Sequence, residues 1–415
     1  MASLTSLPPE VLAHILAYES EDVDTLKSCS LTCRELLPIS QYYLFSHVDF
    51  NILDRMEATL FRSHITHLKL SPRSEILAGY PDTPVAAALS LLRLRGLCFH
   101  HVSFSHMSVS AVVQTNLPAF VTVVELSLYK TTHLDQEHLQ GLICALPNLS
   151  RLLLHAVTLS RHPSGVARHS KQNPPEVPEQ DNGPRLTFLR ASPCYARDGT
   201  TVLVEWLPQT ATRDTLRTLE LPAGSRNSHA VVNGFGTSVE SLKIERLESI
   251  TKSWDISFIG RYVVLRTLDV GWDLHGPQRW YQLYKMLSYM RSPNLSEVVL
   301  RFDVTQDPDS VIDLDGLPAS PVDSYLSRAF PRLQHVCIVI KSDASTLPSA
   351  KRDRLRKVVK SWMTTLDSLG KLKIEFDYVG KVRTALISKL RCKSEACPYR
   401  YRRLRCATSG PTDDW

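Results

Sequence analysis

The chain has 415 residues, of which 43% are hydrophobic, 8% aromatic and 22% charged; this is ordinary globular usage and excludes a disordered, collagen-like or acidic low-complexity chain. Forty-eight Lys and Arg against 42 Asp and Glu leave a net charge of +6, too mild to imply nucleic acid as a partner. The nine cysteines are an odd number spread from Cys29 to Cys406, not the dense, even framework of a small secreted scaffold, so reduced thiols are expected. No run approaches the ~18 apolar residues of a membrane span. Met1-Ala-Ser-Leu-Thr-Ser lacks the basic-then-apolar layout of a secretion signal. The expected compartment is therefore cytoplasmic or nuclear, with no membrane partner.

Residues 4 to 47 carry three short helical stripes and no strand pattern. Leu7-Pro8-Pro9-Glu10 opens the first, with proline in the first turn and a carboxylate near the positive helix end. Val11, Leu12, Ile15 and Leu16 then share an apolar stripe. Asp24-Thr25 is expected to cap a second helix with Leu26, Cys29 and Cys33 at helical spacing, and a third carries Leu36, Leu37, Tyr43 and Leu44. So short a segment cannot build a robust core alone, so its apolar surface should be completed by the chain behind it or by another protein. Residues 48 to 64 read as a linker.

From residue 65 a six-residue pattern, apolar-x-x-apolar-x-apolar, recurs eleven times, from Ile65-Leu68-Leu70 through Leu242 and Leu268 to Leu369-Leu372-Ile374. The last two apolar residues of each match lie two apart, on one face of a short strand. A unit of strand, turn and helix cannot bury its own apolar face, so the units must stack. The predicted fold class is α/β, with three N-terminal helices followed over residues 65–390 by a curved solenoid having a parallel sheet inside and helices outside. The pattern resembles the Leu-x-x-Leu-x-Leu core of leucine-rich repeats, without the Asn or Cys that usually follows the strand. Residues 160 to 185 hold five prolines and almost no apolar side chain, and read as a disordered insertion. Residues 391 to 415 form a basic tail; from 371 to 406 there are eleven Lys or Arg against Glu375, Asp377 and Glu395.

Leu7-Pro8-Pro9-Glu10-Val11-Leu12-Ala13-His14-Ile15-Leu16, with Leu26-Lys27-Ser28-Cys29-Ser30-Leu31-Thr32-Cys33-Arg34 and the ending Tyr42-Tyr43-Leu44-Phe45, is similar to the F-box, in particular that of fungal proteins. The resemblance covers residues 4 to 47. It implies a substrate receptor of an SCF-type cullin-RING ubiquitin ligase, whose F-box docks on a Skp-family adaptor while the repeats hold a protein substrate. The adaptor-binding residues it implies are Leu7, Pro8, Glu10, Val11, Leu12, Ile15, Leu16, Leu26, Cys29, Leu31, Cys33 and Arg34. The alternative is a non-catalytic repeat scaffold whose helical cap assembles no ligase.

No Gly-x-Gly-x-x-Gly, Walker loop, His-Glu-x-x-His or Gly-x-Ser-x-Gly occurs, so neither catalytic residues nor a cofactor are expected. His64, His67, Cys98, His100, His101 and His106 flank strands at spacings that alternate faces, which reads as surface or inter-strand histidines and not as a metal centre. Substrate contact is instead expected from the residues beside each strand's apolar pair, chiefly Tyr129, Arg151, His155, Arg190, Lys243, Asp269 and Arg301.

Overall fold

The computed structural model describes residues 8–18, 22–32, 36–49, 65–70, 93–104, 117–132, 134, 136–158, 183–191, 206–221, 234–247, 256–272, 278–303, 321–343 and 347–379. It begins with helices α1 (Pro9–Tyr18), α2 (Val23–Thr32) and α3 (Leu36–Ser46). The cap of α2 is Asp22 and not the expected Asp24-Thr25. Its Oδ1 accepts the backbone N–H groups of Asp24 and Thr25 at 3.1 Å each, and its Oδ2 accepts the Thr25 hydroxyl at 2.9 Å. Asp24 then falls inside the first turn, where its charge still faces the positive helix end. Leu12, Leu16 and Leu26 are buried among the three helices, and the Tyr43 hydroxyl of α3 donates to the Ala13 carbonyl of α1 at 3.1 Å.

Among the described residues twelve strands follow in one sheet: β1 (His47–Asp49), β2 (His67–Leu70), β3 (Gly96–His100), β4 (Glu125–Tyr129), β5 (Arg151–His155), β6 (Phe188–Ala191), β7 (Thr218–Leu221), β8 (Ser241–Leu247), β9 (Thr267–Trp272), β10 (Glu297–Asp303), β11 (His335–Asp343) and β12 (Leu372–Val379). Each pairs in parallel with its sequence neighbours, so the sheet is open and advances one strand per unit. The eleven sequence matches fall on β2 to β12 in register, Leu219 beside Leu242 beside Leu268 beside Val298 beside Val336. The expected linker is corrected at its start: β1 lies against β2, His47 opposite His67.

One backbone device repeats along the stack. The carbonyl just before each strand from β2 to β10 accepts two consecutive N–H groups from the next unit: Thr66 O takes Arg95 and Gly96, Arg95 O takes Val124 and Glu125, and the same step recurs from Val124, Ser150, Thr187, Arg217, Glu240, Arg266 and Ser296, at 2.7–3.2 Å. Ser and Thr hydroxyls reinforce it, Thr187 on Ser150 O and Ser296 on Arg266 O. The backbone groups at these nine steps are thereby paired in the same way, which suits the stacking of units of unequal length.

The crossovers carry α4 (Gln136–Cys144), α5 (Thr212–Thr215), α6 (Gln278–Tyr289), α7 (Pro321–Ala329), α8 (Ser349–Trp362), α9 (Thr364–Ser368) and short 3-10 turns. Their inner faces, such as Leu283 and Leu287 of α6 and Val322 and Leu326 of α7, close one continuous core with the strand leucines. Two departures from expectation concern unit ends. Leu369, the first apolar position of the last match, is 55% exposed, whereas that position is buried in the other ten units; Gly370 at φ +67° turns the chain there. The expected insertion is shorter at its end, since Pro184 is buried and its carbonyl accepts the Thr212 hydroxyl at 2.6 Å. The remainder of 160–185 and the basic tail lie outside the described residues, and the described solenoid ends at Val379 rather than 390. Among the described residues no helix is long and apolar enough to cross a membrane.

Candidate functional site

Strand alternation turns one side chain in two away from the core, and those residues form the open face of the sheet. Register places His100, Tyr129 and His155 at equivalent points of β3, β4 and β5. Their rings stack in a ladder: His100 to Tyr129 with centroids 4.7 Å apart and 2° between planes, Tyr129 to His155 at 4.5 Å and 9°. The spacing is that of the strands themselves, so the sheet alone sets it. His101 closes edge-on against His100, and the Lys130 ammonium lies 5.5 Å from the Tyr129 ring centre. Immediately after each ring the backbone turns through a left-handed residue, His101 at φ 58°, Lys130 at 49° and Ala156 at 51°. A side chain in that conformation costs roughly 1–2 kcal/mol. Hydrogen bonds hold two of these turns: His101 N–H to Tyr129 O at 2.8 Å and Lys130 N–H to His155 O at 2.7 Å.

Beside the ladder, His67 lies over Gly96, where a Cβ would meet the imidazole Cδ2 at 2.0 Å, so only glycine admits the ring. Burial holds the His67 imidazole below its usual value, against the opposing pull of Glu125. Burial likewise raises the Cys98 thiol. Arg151 donates to Glu125 at 2.9 Å and covers the Phe188 ring at 4.1 Å.

From β6 onward the open face is a charge network. Arg190 reaches Glu245 at 2.7 Å and Glu220 at 3.4 Å, and Lys243 reaches the same Glu220 at 3.7 Å. Arg301 grips Asp269 with two nitrogens, at 2.7, 3.0 and 2.8 Å, and that hydrogen bonding raises the guanidinium above its ordinary value. Lys373 pairs with Glu375. Val299, Cys337 and Val339 form a small buried apolar cluster on this side of β10 and β11, with the Cys337 thiol pushed up to about 11 chiefly by burial.

The expected substrate residues therefore all lie on one face, but they do not converge. Tyr129 and His155 belong to the ring ladder, and Arg151 to a pair with Glu125. Arg190 and Lys243 share Glu220, while Arg301 and Asp269 satisfy each other. The sequence reading passed over the left-handed turns, which no glycine marks. It also passed over the Arg217–Glu240–Arg266 ladder at the strand starts, with Glu240 within 3.6 Å of one arginine and 3.4 Å of the other. Among the described residues no group of three His, Cys, Asp or Glu could hold a metal ion; His64 and His106 lie outside them.

The expected adaptor face divides. Val11 (42% exposed), Ile15 (41%) and Leu31 (87%) point outward with Pro8 and Glu10, and Cys29 is half-buried. Leu12, Leu16 and Leu26 are buried, because helical phase turns them toward the neighbouring helices. Leu7, Cys33 and Arg34 lie outside the described residues. No family model and no curated protein matches the chain.

Proposed function

We propose that the chain is the substrate-recognition subunit of an SCF-type cullin-RING ubiquitin ligase acting in the cytoplasm or nucleus. In this reading α1–α3 are an F-box that docks on a Skp-family adaptor, and the strand-and-crossover units are leucine-rich-repeat-like modules whose open face takes a protein substrate. The subunit makes and breaks no bond itself; it supplies proximity between substrate and a ubiquitin-loaded enzyme held elsewhere. The observation that carries the reading is the outward exposure of Val11, Ile15 and Leu31 on a unit that has already buried Leu12, Leu16 and Leu26. A surplus apolar face on so small a unit marks a surface made for a partner.

The test is co-purification of the full chain with a Skp-family adaptor, compared with Ile15→Ala/Leu31→Ala. Both positions are exposed, so the melt should be unchanged. Truncating two interface anchors, at ~1.4 kcal/mol per tenfold, should weaken capture at least tenfold. Failure of the wild-type chain to capture the adaptor, with a normal melt, would leave the non-ligase scaffold in its place.

A further inference from the structure

The last strand leaves its apolar side part-covered. On β11 the core-facing Val336, Ile338 and Ile340 are at most 1% exposed, whereas Leu372, Ile374 and Phe376, which continue the same rows on β12, are only half-buried. Among the described residues no strand lies beyond β12. The Val336 N–H donates to the Lys371 carbonyl at 2.8 Å. With Val336 opposite Leu372, the backbone groups of Lys373 and Glu375 therefore point at β11, and those of Leu372, Ile374 and Phe376 point away from the sheet. Such an edge is a template for one more strand.

We propose that the outer edge of β12 pairs antiparallel with the same edge of a second copy of this chain, about a two-fold axis through Ile374. Charge selects this occupant. Residues 371–377 read Lys-Leu-Lys-Ile-Glu-Phe-Asp. With Ile374 opposite its own copy, Lys371 faces Asp377, Lys373 faces Glu375 and Leu372 faces Phe376, on both sides of the axis. The residues whose backbone points outward then oppose one another, as hydrogen-bonded pairs require. The charged residues fall at the non-hydrogen-bonded pairs, where side chains approach closest. Moving the axis by one residue spoils the match, because Lys373 would face Lys373, or Glu375 would face Glu375. The strand thus specifies a single register with itself, and the apolar rows of the two sheets join on one side. In the single chain Lys373 pairs with Glu375, and both are exposed, so little is lost when that contact is exchanged for contacts across the axis. The inference does not depend on the receptor reading.

The test is analytical ultracentrifugation of the full chain over a concentration series. One strand edge buries less than the roughly 1,600 Å² of a standard interface, so a dimer of twice the chain's 46.8 kDa should form in the micromolar range. Lys371→Glu/Lys373→Glu makes the edge wholly acidic, and Glu375→Lys/Asp377→Lys makes it wholly basic. Each should weaken self-association at least tenfold with an unchanged melt, because every cross-strand pair becomes repulsive. An equimolar mixture of the two should form heterodimers, and the chain carrying all four changes should dimerise with itself, since every cation again faces a carboxylate. A wild-type chain still monomeric at ~100 µM would overturn the proposal. A dimer indifferent to both reversals would place the contact elsewhere and overturn it too, as would two folded, monomeric variants that fail to associate when mixed.

Discussion

The stacking of units through their strand leucines can be tested at Leu268. This residue is fully buried in β9, in register between Leu242 and Val298, which are fully buried as well. Truncation to alanine removes three carbons from a site that cannot collapse without moving two neighbouring strands, and buried leucines cost about 2–5 kcal/mol when so truncated. A site closed on both sides belongs in the upper half of that range. Leu268→Asp adds a charge with no partner. Together the cavity and the buried carboxylate approach or exceed the ~5–15 kcal/mol that holds a domain folded. Leu369 supplies the control, because it occupies an apolar position of the same repeated pattern but is 55% exposed, so Leu369→Asp should stay within about 0.5 kcal/mol of wild type. Urea unfolding at neutral pH, followed by far-ultraviolet circular dichroism, separates the three variants. Leu268→Ala should shift the midpoint down at constant slope, Leu268→Asp should lose the cooperative transition, and Leu369→Asp should superimpose on wild type. If Leu268→Asp unfolds cooperatively within about 1 kcal/mol of wild type, the interior between units is not the apolar seam described.

Two polar groups in the interior lead to opposite expectations. The Asp323 carboxylate on α7 is buried and accepts the N–H groups of Thr365 at 2.8 Å and Leu366 at 3.0 Å, so it caps α9 from another helix. Asp323→Ala should cost about 3–5 kcal/mol and Asp323→Asn roughly half, measured by the same urea titration; a loss under about 1 kcal/mol for the alanine would show that the cap is dispensable. The Tyr262 hydroxyl is fully buried with no hydrogen-bond partner among the described residues, so Tyr262→Phe should be neutral or stabilising by up to about 1 kcal/mol. Burial pushes this phenol far above its usual value. The folded chain keeps its proton while the unfolded chain releases it above pH ~10, so wild-type stability should fall as pH rises beyond that point and Tyr262→Phe should lack this part of the fall. A clearly destabilised Tyr262→Phe, or equal alkaline slopes, would contradict the burial of the hydroxyl.

Much of the fold was legible because its determinants are local. The apolar triplets specify strands through spacing alone, and stacking follows from the need of each strand to cover its apolar side. β1 escaped because His47-Val48-Asp49 contains a single apolar residue; its pairing comes from the backbone of β2. The cap of α2 was misplaced by two residues because Asp22 and Asp24 are equally good caps, and only the point where the chain enters the helix decides between them. Val11 and Leu12 are neighbours on a stripe of similar residues, so which faced inward depended on where α3 packs. The open-face pairs follow another logic. Asp269 and Arg301 are 32 residues apart and Arg190 and Glu245 are 55 apart. Their meeting requires strand register as well as face, and a stretched crossover hides register from a linear reading.

The two halves of the open face also differ in what a partner must displace. Between β6 and β12 a ligand charge competes with contacts already made: Arg301 would have to give up a bidentate carboxylate, and Glu220 would have to leave two cations at once. Substituting one ion pair for another yields little net free energy once desolvation is included. At the ladder the rings are positioned by strand spacing, and the turns after His100 and Tyr129 are held by backbone hydrogen bonds. Binding free energy on such a face concentrates where order exists in advance.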